Sequence, residues 1–214
     1  MSDSASRGNL IIVSGPSGAG KSALVGGVLR RLSGIRFSVS YTTRAPRGTE
    51  KDGVEYFFVD RGAFERLIRE DAFLEWAEVH NNYYGTSRGF VDEVLREGRD
   101  VILDIDVQGA QIIREKRPDT VSVFVMPPSF EVLKQRLERR SLDEGLVIKQ
   151  RLKRACNEIV RYKEYDYVII NEDLDSSIQE LESIVLGNRC RISSRIEAAK
   201  SVMDTFGGMD AENP

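Results

Sequence analysis

The chain has 214 residues, enough for one domain with a sizeable core and a small inserted subdomain. With 41% hydrophobic residues, 30% charged residues and a net charge of -3, it reads as a soluble globular protein, without the general basic field that would advertise nucleic acid. Two cysteines, Cys156 and Cys190, form no metal-ligand pattern and read as reduced thiols, while a single histidine, His80, leaves little room for histidine-based zinc or triad chemistry.

The polar start, residues 1–9, reads as a disordered N-terminus, and the apolar run after it is too short for a signal core or a membrane span. A cytoplasmic protein is expected, with no nucleic-acid or membrane partner. Leu10 to Ser14 reads as a buried strand, followed by a glycine loop and a helix from about Lys21 to Leu32. Phe37 to Ser40 suggests a second short strand, and Tyr41 to Gly53 a loop. From Val54 the character changes. Val54 to Val59 reads as a strand, and Asp60 caps a helix carrying Phe64, Leu67 and Ile68. Phe73 to Val79 is a strand, with a turn at Asn81 to Gly85 into another.

An α/β rhythm then resumes. Phe90 to Arg96 is helical, Asp100 to Ile105 a strand, Gln111 to Lys116 helical and Val121 to Val125 a strand. Ser129 starts a helix with Val132, Leu133 and Leu137 on one stripe, and a long helix runs on to about Tyr162. Tyr167 to Ile170 is the last core strand and Leu174 to Leu186 the last core helix. Strands alternating with helices predict an α/β fold: a parallel sheet core flanked by helices. The tail 188–214 reads as a partly disordered C-terminal extension.

Gly15-Pro16-Ser17-Gly18-Ala19-Gly20-Lys21-Ser22 matches G-x-x-x-x-G-K-[ST], the phosphate-binding loop, in full. Glycines let the backbone wrap closely, so several N–H groups point at one anion, and the helix from Lys21 adds its positive end. Lys21 can reach the β- and γ-phosphates of a nucleoside triphosphate, and the Ser22 hydroxyl can ligate Mg²⁺. The loop names phosphoryl chemistry but not the acceptor.

The acceptor is suggested further on. Arg44 and Arg47, three apart in a loop, suit an anion with several oxygens. The blocks GPSGAGKS, SVSYTTRAPRGTEKDGVEYFF, FLEWAEVHNNYYGTS, LDIDVQGA, VMPPSFEVLKQRLERR and YVIINEDLD follow one another in an order that resembles guanylate kinase, over about Leu10 to Leu186. The resemblance implies a P-loop core (10–36, 88–128 and 160–187), an inserted GMP-binding subdomain (about 37–87) and a helical lid (about 129–159), within a domain spanning 10–187. It implies transfer of the γ-phosphate of ATP to GMP, with Mg²⁺, by a monomer or homodimer; dGMP is left open as an acceptor. Ser40, Arg44, Arg47, Tyr56 and Tyr84 would surround the GMP phosphate, beside Gly85, with Glu50 holding the arginine loop. Glu75 and Thr86 would face the guanine, with Asp106 nearby. Asp104 would organise Mg²⁺ through water. Arg136, Arg140 and Arg151 would come from the lid and its hinges, joining Lys21 and Arg44 in catalysis, and Asn171 would lie near the adenine.

The chemistry of those residues is coherent by itself. Guanine shows two donors on one edge, N1–H and the 2-amino group, which one carboxylate such as Glu75 accepts together. Adenine would leave that carboxylate unpaired, at a cost of about 1–3 kcal/mol or more. A hydroxyl on Thr86 can donate to the guanine O6. Near Glu138-Arg139-Arg140-Ser141 the match weakens, because the family usually places a glycine on each side of the lid arginine, and Arg139 can stand in for Arg140. Trp76 is expected in the core beneath the small subdomain, and His80 is given no role. Two other functions compete: a guanylate-kinase-like binding module without catalysis, which an intact Lys21 disfavours, and a kinase with a sugar phosphate acceptor, which would not need Glu75 and Thr86.

Overall fold

The computed structural model describes residues 7–79, 81–140 and 145–206, apart from the side chains of residues 140 and 145–147. Five parallel strands make the core sheet, in the order β2 (Ile35–Phe37), β7 (Asp100–Asp104), β1 (Leu10–Ser14), β8 (Val121–Met126) and β9 (Tyr167–Ile170). Every residue of β1 is buried, as its unbroken apolar run requires of a strand covered on both faces. One face packs on α1 (Lys21–Arg31) and α7 (Leu174–Arg189), through Leu24, Val28, Ile178, Leu181 and Val185. The other packs on α3 (Arg88–Arg96) and α4 (Val107–Lys116), through Val91, Leu95, Ala110 and Ile113.

A second sheet has the order β4 (Tyr56–Phe58), β3 (Ser40–Thr42), β6 (Asn82–Ser87) and β5 (Phe73–Val79). It is mixed: β3 runs parallel to β4, while β6 lies antiparallel to both β3 and β5. The helix α2 (Arg61–Arg69) covers it, capped by Asp60, whose Oδ1 accepts from the Ala63 N–H at 2.7 Å. Phe64 stacks on Phe73 beneath it, centroids 4.5 Å apart. Two helices, α5 (Phe130–Arg140) and α6 (Gly145–Ile159), meet through Leu133, Leu137, Leu152 and Ala155, and a 3-10 turn, Val160–Glu164, leads into β9. A last helix, α8 (Ile192–Asp204), follows α7. Among the described residues no helix is long and apolar enough to cross a membrane.

Four expectations need correction. The apolar stretch Phe37 to Ser40 is not one strand: β2 ends at Phe37 in the core sheet and β3 begins at Ser40 in the small one, with Ser38 N–H still bonded to Ile102 O at 3.1 Å. The strand β9 is an edge, and only Ile169 of its four residues is buried. Trp76 is not a core residue. It is 40% exposed on the outer face of β5, edge-on to Tyr83. Finally, neither boundary of the domain is loose. The Asn9 N–H donates to Asp100 Oδ1 at 2.7 Å, Arg189 Nε donates to Asp100 Oδ2 at 2.7 Å, and the Ser194 hydroxyl donates to Asn9 Oδ1 at 2.8 Å. Buried Asp100 thus ties Asn9, the last residue of the stretch read as disordered, to Arg189, at the start of the extension read as partly disordered. Residues 1–6 and 207–214 lie outside the described residues.

Candidate active site

The strand β1 delivers its chain into the loop at Gly15, where φ is +139° and an added methyl would stand 2.3 Å from Val125 O. Gly20 caps α1 at φ +99°, against the Asn171 side chain. Both positions need glycine for conformation and for close approach. Lys21 Nζ donates to Gly15 O at 2.7 Å and to Pro16 O at 3.2 Å, so the ammonium lies folded over the loop. The Ser22 hydroxyl donates to Asp104 Oδ2 at 2.6 Å. That pairing follows from topology, since β7 lies beside β1 and brings Asp104 opposite Val13. Ligands of open α/β sheets bind at these carboxyl ends.

The loop's far side meets the helices α5 and α6. Arg136 donates to the carbonyls of Ala19 (3.3 Å) and Asn171 (2.9 Å), and Asn171 Nδ2 donates to Ala19 O at 2.7 Å. Asn171 is therefore a buried brace for the loop backbone, at the edge of a cleft of about 300 Å³ lined by Gly18, Gly20, Arg136, Arg139 and Glu172. Arg151 Nη2 donates to Ser17 Oγ at 3.0 Å, which brings α6 over the loop. Of the two candidates at the end of α5, Arg139 lines the cleft, while the Arg140 side chain lies outside the described residues, as do Ser141 and His80. Sequence reasoning missed Glu158 on α6. Burial raises its carboxyl above the ordinary range, and the charge of Lys21 pulls the other way. Its signal in the sequence was spacing along one face of α6, two helical turns after Arg151 and one after Ala155.

The small sheet supplies the other wall. Arg44 Nη2 donates to Glu50 at 2.9 Å, and Glu50 also accepts from the Arg47 backbone N–H at 2.8 Å. The Arg44 guanidinium lies 5.3 Å from the Tyr56 ring centre, and Tyr56 meets Tyr84 edge to face at 5.9 Å. Burial pushes the Arg44 pKa down, but Glu50 and Tyr84 outweigh it, so the value stands above the ordinary one. Burial, then Tyr84 and Asp104, hold the Tyr56 phenol above its usual range. Ser40 and Tyr84 are half-buried on β3 and β6, and Arg47 is exposed at the loop tip. Gly85 is buried on β6. An added methyl there would meet the rings of Phe64 and Phe73 at 3.0 Å, so it serves the packing under α2.

Deepest lie Glu75 on β5 and Thr86 on β6, paired across the strands and exposed by 4% and 0%. The Thr86 hydroxyl donates to Glu75 Oε1 at 2.6 Å. Its single proton goes to the carboxylate here. Burial raises the Glu75 carboxyl to about 7, Thr86 opposes that rise and Asp106 adds to it. Asp106 itself caps α4, accepting from the N–H groups of Gln108 (2.7 Å) and Gly109 (3.3 Å). A buried carboxyl at the edge of its titration is suited to a ligand that brings its own donors.

A protein-family model described as guanylate kinase matches residues 7–187 of the chain. A guanylate kinase of Alkalilimnicola ehrlichii is 49% identical over 201 residues, which span 94% of this chain and 99% of that protein. Another, of Symbiobacterium thermophilum, is 50% identical over 185 residues, 86% of this chain and 88% of that one. The crystal structure of guanylate kinase from Anaplasma phagocytophilum superposes with a TM-score of 0.78 at 34% identity, over 94% of this chain and 96% of that one.

Proposed function

The chain belongs to the guanylate kinase family, and from that membership we propose its reaction: transfer of the γ-phosphoryl group of ATP to GMP, giving ADP and GDP. The observation that carries the reading is the short segment Asp104-Ile105-Asp106. Asp104 meets Ser22 of the phosphate loop, and two residues on Asp106 acts electrostatically on Glu75. One strand end thus joins a triphosphate site to a buried base-reading carboxylate.

The loop N–H groups and Lys21 hold the ATP phosphates, once Lys21 exchanges its carbonyl partners for phosphate oxygens. Ser22 and Asp104 present two hard oxygens side by side, the donor types that Mg²⁺ takes while it fills the rest of its shell with water and phosphate. Among the described residues no cluster of three or more acidic, histidine or cysteine side chains offers an all-protein cage, so the residues fit a metal that arrives with the nucleotide. That ion, when bound, neutralises phosphate charge. On the acceptor side Arg44, held by Glu50 over Tyr56, meets the GMP phosphate together with Arg47, Ser40 and the two tyrosines. Glu75 accepts the guanine N1–H and 2-amino hydrogens, and Thr86 orients it. No general base is needed, because the attacking phosphate oxygen is already ionised near neutral pH.

The small sheet is then the GMP-binding subdomain, and α5 with α6 is the lid. Closure of the lid carries Arg136 and Arg151 onto the phosphates and keeps water from the γ-phosphoryl group. The test is ADP formation from ATP and Mg²⁺ with GMP, dGMP, AMP, CMP and UMP offered separately. Fast turnover restricted to the guanine nucleotides is expected. Comparable turnover with AMP or a pyrimidine nucleotide would overturn the assignment of Glu75.

A further inference from the structure

Gly109 stands in the first turn of α4, buried, with no positive φ to call for glycine. Glycine weakens a helix relative to alanine, so its presence asks for another reason. The surroundings supply one. A methyl carbon added to Gly109 would lie 2.7 Å from Glu75 Oε2 and 3.1 Å from Glu75 Cδ. Side-chain carbons do not approach oxygen so closely without something giving way, since close-packed interiors feel even one added methyl.

The strand cannot be what gives. Lys116, at the far end of α4, donates from Nζ to Leu74 O at 2.9 Å, one residue before Glu75. Leu74, 1% exposed, belongs to the same buried cluster as Ala110 and Ile113 of α4. Helix and strand are therefore tied together one residue from the contact on each element. Only the carboxylate is left to move, and Thr86 holds its other oxygen.

We infer that Gly109 is a specificity-positioning residue. Its missing side chain sets the depth at which the Glu75 carboxylate rests, and so the alignment of both oxygens with the two guanine donors. The inference rests on the reading of Glu75 as the guanine acceptor. A carboxylate pushed out of plane still meets one donor but not two. Gly109→Ala therefore weakens GMP more than inosine monophosphate, which lacks the 2-amino donor.

The test is a cycle of Gly109→Ala, Glu75→Ala and the double variant, with steady-state kinetics and thermal melting on each. Gly109→Ala is expected to raise KM for GMP about tenfold, with kcat and KM for ATP within twofold, and to lower the GMP-over-inosine-monophosphate preference severalfold. In the Glu75→Ala background the same substitution should leave KM unchanged and no longer lower the melting temperature, since nothing is left to push and only the helix gain of alanine over glycine remains. If Gly109→Ala folds poorly, the cycle is read from melting alone: its loss must vanish in that background. An unchanged KM and preference, or an equal effect in both backgrounds, would overturn the inference while leaving Glu75 in its role. An unchanged KM for GMP in Glu75→Ala would instead overturn the reading of Glu75, and this inference with it.

Discussion

Two hydrogen bonds of the same length, 2.6 Å, mark the two ends of the proposed site: Thr86 to Glu75 at the proposed base end and Ser22 to Asp104 at the proposed phosphate end. The first is sealed, between residues 0% and 4% exposed, and the second lies open to solvent. Burial is what makes equal bonds unequal. At the base end it has moved the Glu75 carboxyl to about 7, and an unmatched ligand would leave a desolvated group without a partner. At the phosphate end the Ser22–Asp104 bond is exposed, and a typical hydrogen bond contributes only about 0.5–1.5 kcal/mol net, so the two groups can trade partners at little cost. On the proposed assignment, recognition sits where exchange is expensive, and chemistry where it is cheap.

That contrast can be broken by mutation. The largest effect belongs to Lys21→Met, which removes the charge proposed to hold the phosphates: kcat should fall by about a thousandfold or more, with a far smaller change in melting temperature. Next comes a buried charge with no ligand to serve. Asp100, bonded to Asn9 and Arg189, should cost about 3–5 kcal/mol on replacement by alanine, read by chemical denaturation, with kcat of the folded fraction unchanged.

Smaller, but specific to the base end, is the pH dependence from Glu75. Its folded value of about 7 lies above the ordinary 4.5, so the native state holds a proton that the unfolded chain releases. The stability from this difference is complete below pH 4.5 and is lost as pH rises toward and through 7, a total on the order of 3 kcal/mol. Glu75→Gln should flatten that part of the denaturation profile and make the variant the more stable protein at pH 8, while raising its KM for GMP.

Much of this was legible in the sequence because it is local. The run Leu10 to Val13 needs a two-sided core, G-x-x-x-x-G-K-S wraps a phosphate wherever a strand and helix flank it, and Asp60 announces the start of α2. What stayed hidden depends on partners far along the chain. Asp100 resembles an ordinary acid at a strand start, and its partners lie 91 and 89 residues away. Phe-Leu-Glu-Trp-Ala-Glu-Val has apolar residues on both faces of β5, so its pattern did not say that Trp76 points outward. Gly109 reads as a weak spot in a helix until Glu75 is seen against it. Asn171 lies 152 residues from the carbonyl it braces, and no spacing in the sequence reports that contact.

The division of labour between the two ends is tested most directly by the equilibrium affinity of Lys21→Met for GMP, measured by calorimetry without ATP. The account expects binding within twofold of the parent protein in a variant that no longer transfers phosphate. A loss of GMP affinity that matches the loss of turnover would contradict it, because one residue would then serve both ends of the cleft.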